Sequence, residues 1–307
     1  MKILVNADLK DHTLQQFSAM EDIELITDTQ DPRVEEAEVL IGNHNADLIK
    51  RMPALRMVQL LSAGSGDLSD IPGSVPVANA YGAYGAAIAE YLLGATLMIQ
   101  KNFPLCMEKQ KEHIWDRDIP MKLCRDMKVL SVGMGSIGTG YLRLCSMLGM
   151  ECCGVRRTVH DKPDFVKEIF TMETMDTYLS QADIVALSMP HTAETAGMFN
   201  EERLRKMKKD SILLNVGRGS AIVGDDLIKV VQDGWFRGVV LDVTEQEPLP
   251  KNSPLWNTER VYITPHISGR WNSGANYESV MQVVKDNLSR FLRNEPPVHI
   301  VYRKLGY

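Results

Sequence analysis

Three short segments in the last third of the sequence each set an ionisable side chain beside glycine, proline or a short apolar run. They are Asn215-Val216-Gly217-Arg218-Gly219, Leu241-Asp242-Val243-Thr244-Glu245-Gln246-Glu247-Pro248 and Thr264-Pro265-His266. A guanidinium, a carboxylate and an imidazole form a working set for holding a reducible 2-oxo acid. Such a set needs a source of hydride and a scaffold that brings distant segments together.

The hydride source is legible upstream. Lys128-Val129-Leu130-Ser131-Val132 reads as an apolar strand that runs into Gly133-Met134-Gly135-Ser136-Ile137-Gly138 and then into a helix-like stretch, Thr139 to Leu148. In a dinucleotide fingerprint the first glycine allows a tight turn, the second lets the backbone approach a pyrophosphate, and the third lets the helix pack on the strand. The phosphates then lie at the N-terminus of the helix, which places Ser136 and Ile137 beside them with the glycines.

The scaffold follows from the rhythm of apolar runs. Ile3–Asn6, Ile23–Thr27, Val39–Gly42, Met57–Leu61 and Val75–Ala78 form one series. A second series runs through Val129, Met150–Val155, Ile184–Ser188, Ser211–Val216, Val239–Val243 and Val261–Thr264. Short apolar strands alternating with polar or helical stretches predict an α/β chain with two doubly wound parallel sheets. The chemical segments fall at strand C-terminal ends, where open α/β sheets bind ligands, so Pro190, Val216, Asp242 and the nearby Thr195 and Gly269 are expected to line a cofactor cleft. Helix-like stretches at 86–110 and 273–293 mark the expected crossings. They divide the chain into a substrate domain, residues 1–99 and 270–307, and an inserted dinucleotide domain, residues 100–269.

Composition fits this division. At 307 residues the chain is about twice an ordinary domain. With 44% hydrophobic and 24% charged residues it reads as globular, and a net charge of -6 argues against nucleic acid or a membrane surface as the main partner. The N-terminal segment turns polar too early for a signal peptide, and no apolar run approaches the ~18 residues of a membrane span, so a cytoplasmic location is expected. The five cysteines show no Cys-x-x-Cys spacing and read as reduced core residues, and no metal site is expected.

Read together, Asn79–Glu90, Gly133–Gly138, Ala182–Val185 leading to Met189–Thr192, Asn215–Gly219, Leu241–Pro250, Ser253–Trp256 and Thr264–Gly269 resemble the D-isomer-specific 2-hydroxyacid dehydrogenase family. The resemblance covers nearly the whole chain. It implies a split, flavodoxin-like substrate domain, an inserted Rossmann domain, a cleft between them and a homodimer. It also implies that Arg218 orients the substrate through its carboxylate and carbonyl. His266 would give a proton to the carbonyl oxygen, while Glu247 would hold the imidazole and favour its protonated form. Asp242 would lie near the nicotinamide. The family's substrate loop corresponds to Leu61–Asp67, where Ala63, Gly64 and Ser65 would meet the carboxylate. Trp115 resembles a segment that in some relatives extends toward the partner subunit's active site. His191 is expected to line the nicotinamide pocket, whereas His12, His44, His113, His160 and His299 receive no role.

The second Rossmann strand ends in Gly154-Val155-Arg156-Arg157-Thr158. An acidic residue there would accept hydrogen bonds from the adenosine ribose 2'-hydroxyl; instead Arg156, Arg157 and Thr158 suit a 2'-phosphate. NADP(H) is therefore favoured, with NAD(H) as the alternative. The substrate loop carries no Lys or Arg, which favours a small unphosphorylated acid such as glyoxylate or hydroxypyruvate; pyruvate and bulkier 2-oxo acids stay open. Two rival readings remain: an NAD-dependent enzyme working oxidatively, and a dinucleotide-sensing binding protein.

Overall fold

In the computed structural model, residues 1–158, 161–272 and 274–303 are described. His160 and Ser273, the expected start of the last helix, lie outside them. In chain order the elements are β1 (Lys2–Asn6), α1 (Asp11–Ser18), β2 (Glu24–Ile26), β3 (Val39–Gly42), α2 (Ala46–Lys50), β4 (Met57–Gln59) and β5 (Val77–Ala78). There follow α3 (Gly85–Gln100), α4 (Phe103–Lys111), β6 (Lys128–Val132), α5 (Ser136–Met147), β7 (Glu151–Val155), β8 (Glu168–Phe170) and α6 (Asp176–Leu179). The chain ends with β9 (Ile184–Leu187), α7 (Glu201–Lys206), β10 (Ser211–Asn215), α8 (Gly224–Gln232), β11 (Phe236–Leu241), β12 (Val261–Ile263) and α9 (Gly274–Leu292).

Two compact units result. The first joins Met1–Tyr84 to Trp271–Tyr307, and the second is Gly85–Arg270. The first crossing thus lies ahead of the 99/100 position expected from sequence. The reason is α3, which packs on α5 within the second unit: Tyr141 donates to Thr96 Oγ1 at 2.7 Å, and Thr96 in turn donates to the Leu92 carbonyl. The helix expected across 86–110 is two helices, because Asn102 adopts a left-handed φ of 50° and ends the run before Pro104.

The first unit holds a five-stranded sheet in the order β2-β1-β3-β4-β5. The second holds a seven-stranded sheet in the order β12-β11-β10-β9-β6-β7-β8. Every strand pairing in both is parallel. Helices on both faces bury such strands completely, which is why β3, β9 and β10 are unbroken buried runs rather than alternating ones. Leu130, Val185, Leu213 and Val239 stack across adjacent strands in the second unit's core. Edge strand β8 was not expected from sequence; its three residues are exposed or half-buried and carry no apolar run. Among the described residues no helix is long and apolar enough to cross a membrane, and no group of three or more His, Cys, Asp and Glu is placed to hold a metal ion.

Candidate active site in the second unit

The neighbouring strands β10, β11 and β12 end on the same edge of the sheet, and each releases one of the three chemical segments. Strand order therefore does what sequence distance hides. His266 Nδ1 lies 2.7 Å from Glu247 Oε2. The other carboxylate oxygen of Glu247 accepts the Thr244 backbone N–H at 3.1 Å, so Glu247 is held from both sides. With Nδ1 occupied and the side chain about half exposed, at 52%, the imidazole keeps its Nε2 edge for another partner.

Arg218 stands beside this pair in a recess of about 190 Å³ that Ser220, Thr244 and His191 also line. Asn215 shapes the turn before it, since its side-chain oxygen accepts the Gly217 N–H and its amide donates to the Arg218 carbonyl. Burial lowers the Arg218 guanidinium from its ordinary value, and the negative charge of Glu247 opposes that shift. A guanidinium in such surroundings is poorly served by water and suited to an anionic partner. Gly219 fixes the spacing of the two loops: a Cβ there would sit 1.9 Å from the Thr244 carbonyl. His191, expected near the nicotinamide, shares the recess and pairs with Ser220, Nδ1 to Oγ, at 2.7 Å. Ser220 was not singled out from sequence, because a serine after a glycine carries no local signal.

Asp242, expected near the nicotinamide, lies at the end of β11. It is 1% exposed, and its carboxylate accepts the N–H groups of Ile267 and Ser268 and the hydroxyls of Thr264 and Ser268. It is therefore engaged with the loop that carries His266.

The dinucleotide motif forms the expected turn between β6 and α5. A Cβ at Gly138 would lie 2.0 Å from the Gly133 carbonyl, so only glycine lets this helix start so close to the strand. The first-turn N–H groups of Ser136, Ile137 and Gly138 have no intrahelical acceptor, an arrangement that fits a pyrophosphate. At the end of β7, Arg156 is half-buried and Arg157 and Thr158 are exposed, with no carboxylate among the three. Val216 is buried, Pro190 is exposed, and Gly269 is half-buried. The Thr195 hydroxyl donates to the Pro190 carbonyl and so shapes the loop after β9.

In the first unit, the loop Leu61–Asp67 borders a separate recess of about 240 Å³ shared with Asn43, His44 and Trp271. The Ala63 carbonyl accepts from the Asn79 side chain, and Ser62 donates to the Gly64 carbonyl. His44, given no role from sequence, has a buried Nδ1 without a hydrogen bond, 3.7 Å from Asp70. Tyr84 is buried and donates to the Leu61 carbonyl, whereas Tyr81 is half exposed.

Residues 93–268 match the family described as D-isomer specific 2-hydroxyacid dehydrogenase, NAD binding domain. A relative from Thermofilum pendens named glyoxylate reductase is 29% identical over 276 residues, which are 87% of this chain and 80% of that protein. The structure of a D-isomer specific 2-hydroxyacid dehydrogenase family protein from Aeromonas salmonicida has a TM-score of 0.88 at 28% identity, over 98% of each chain. A D-isomer specific 2-hydroxyacid dehydrogenase from Xanthobacter autotrophicus, in complex with NADPH and MES, has a TM-score of 0.86 at 25% identity, covering 100% of this chain and 99% of that one.

Proposed function

Because the chain belongs to the D-isomer specific 2-hydroxyacid dehydrogenase family, and is thereby an NAD(P)-dependent oxidoreductase acting on CH–OH groups, we propose that it uses NADPH to reduce a small 2-oxo acid of the glyoxylate or hydroxypyruvate kind. The product is the (R)-2-hydroxy acid. The observation that carries this reading is the His266–Glu247 pair, 2.7 Å apart, facing the same recess as Arg218.

The bound dinucleotide supplies the hydride. Arg218 grips the carboxylate and polarises the carbonyl through its planar fork of donors. His266 gives its Nε2 proton to the carbonyl oxygen, so hydride and proton together turn C=O into CH–OH. Glu247 accepts from Nδ1, sets the ring's orientation and stabilises the imidazolium that must form again before the next turnover. The N–H groups at the start of α5 hold the pyrophosphate. Arg156, Arg157 and Thr158 hold the adenosine 2'-phosphate; the NADPH in the Xanthobacter relative supports that choice. In the first unit, the backbone of Ala63, Gly64 and Ser65 is assigned to the substrate carboxylate. The glyoxylate reductase name of the Thermofilum relative supports a small acid. The reading includes a cytoplasmic homodimer. The dimer is supported by exposed apolar side chains at Phe103, Met107, Ile114, Trp115 and Leu123, of which Trp115 is 90% exposed.

The test is steady-state oxidation of NADPH and NADH with glyoxylate, hydroxypyruvate, pyruvate and a branched 2-oxo acid. NADPH-dependent turnover that disappears in His266→Ala is expected. Replacing Arg156 and Arg157 together by alanine is expected to raise the KM for NADPH at least about 10-fold, the scale of losing a charge-assisted contact, with little change for NADH. Preference for NADH in the parent chain would overturn the cofactor assignment.

A further inference from the structure

Helix α3 takes no part in the chemistry above, yet one of its residues reaches the loop that carries His266. The Tyr91 hydroxyl lies 2.6 Å from Thr264 Oγ1, and Thr264 Oγ1 lies 2.6 Å from Asp242 Oδ1. The polarity of this chain follows from its end point. A carboxylate only accepts, so Thr264 gives its single proton to Asp242, and its oxygen accepts from Tyr91. Burial raises the Tyr91 phenol above its ordinary value, which keeps it a donor at working pH.

The hydrogen bonds around Asp242 enclose His266 on both sides. Before it in sequence, Thr264 is bound by Tyr91 and Asp242. After it, Ile267 and Ser268 donate their N–H groups to the same carboxylate at 2.9 and 3.0 Å. The His266 N–H itself donates to the Asp242 carbonyl at 2.8 Å. Between these anchors His266 has a φ of 51°, in the left-handed region. A non-glycine residue stays there only when its surroundings hold it. Tyr91 is the part of this network that comes from a helix rather than from a loop after a strand, and it lies shortly after the crossing at Tyr84/Gly85.

We propose that Tyr91 is a positioning residue for His266, its hydroxyl fixing the Thr264 end of the loop and so holding the imidazole against Glu247 and toward the recess. The proposal rests on the reductase reading of the site. Removal of the hydroxyl frees the loop to sample other backbone conformations. The proton donor then spends less time in the productive orientation, while the dinucleotide contacts at the start of α5 are untouched. The signature is a loss in kcat without a loss in cofactor affinity.

The test compares Tyr91→Phe with the parent chain by two readouts. One is amide hydrogen exchange of Ile267 and Ser268 in the resting protein; the other is steady-state kinetics on the parent's best 2-oxo acid. Exchange about 10-fold faster, kcat lower by roughly 5- to 10-fold, an unchanged KM for NADPH and a larger solvent deuterium isotope effect on kcat are expected. Thr264→Val removes the middle of the chain of hydrogen bonds and is expected to show the same pattern, which keeps the test decisive if one variant folds poorly. Unchanged exchange overturns the inference, and so does faster exchange with unchanged kcat, since the network would then be structural only. If the parent chain reduces no 2-oxo acid, the reductase reading itself fails and takes the inference with it.

Discussion

Arg218 shows how much depends on the shape of a charge rather than its sign. Its guanidinium is partly withdrawn from water, and burial lowers it from its ordinary value. Lysine would keep the charge and lose the planar pair of donors that matches a carboxylate and an adjacent carbonyl. Arg218→Lys is therefore expected to lower kcat/KM by roughly 100-fold, about 2.7 kcal/mol of transition-state stabilisation, with the fold intact by circular dichroism. A variant within a few-fold of the parent would remove Arg218 from substrate binding. The neighbouring acids show what residue type alone leaves open. Asp242, Glu245 and Glu247 sit within six positions, and sequence singled out Glu247 as the partner of His266. The pair is indeed 2.7 Å apart. The surrounding of Asp242 was not legible in the same way. Its donors include Thr264, Ile267 and Ser268, more than twenty positions away along the chain, and no local pattern announces them.

At the scale of elements, the site is made by loops that leave adjacent parallel strands and touch each other. Gly219 is where the β10 loop meets the β11 loop, since a Cβ there would fall 1.9 Å from the Thr244 carbonyl. Gly219→Ala must push backbone against backbone, with no flexible side chain to yield. It is expected to lower the stability of the second unit by about 1–3 kcal/mol and to reduce kcat at the same time, because the Arg218 and Glu247 segments move apart together. Thermal melts and kinetics on one preparation check this; an active, fully stable variant would show that the loops adjust independently. The strands themselves were largely legible, because parallel strands buried on both faces are written as unbroken apolar runs. Where that physics is absent, so is the signal: β8 is three residues at an exposed edge. The break between α3 and α4 rests on the left-handed Asn102, which hydrophobic spacing does not register. Tyr91 and Thr264 bond to each other across 173 positions. Neither carries a mark of that contact in its own neighbourhood.

At the scale of the molecule, the second unit is continuous and the first is not. The first unit is closed by α9, where Asn287 is fully buried. Its amide donates to Gln59 Oε1 on β4 at 2.6 Å and to the Val298 carbonyl, and its oxygen accepts the Val298 N–H. Asn287→Ala leaves the buried Gln59 oxygen without that donor, a loss of about 1–3 kcal/mol. The expected result is an earlier unfolding transition for the first unit, with that of the second unit unchanged; calorimetry resolves the two. A single transition shifted as a whole would show that they unfold together. This split wiring also bears on the chain's birth. A ribosome adding roughly 5–20 residues per second releases β1 to β5 long before α9 exists, since all of Gly85–Arg270 must be made in between. For on the order of ten to forty seconds the side-chain oxygen of Gln59 lacks its asparagine donor, while the continuous unit can already mature. The vulnerable period of this protein is thus set by translation speed, and its nascent chains should be captured by chaperones through the first eighty or so residues.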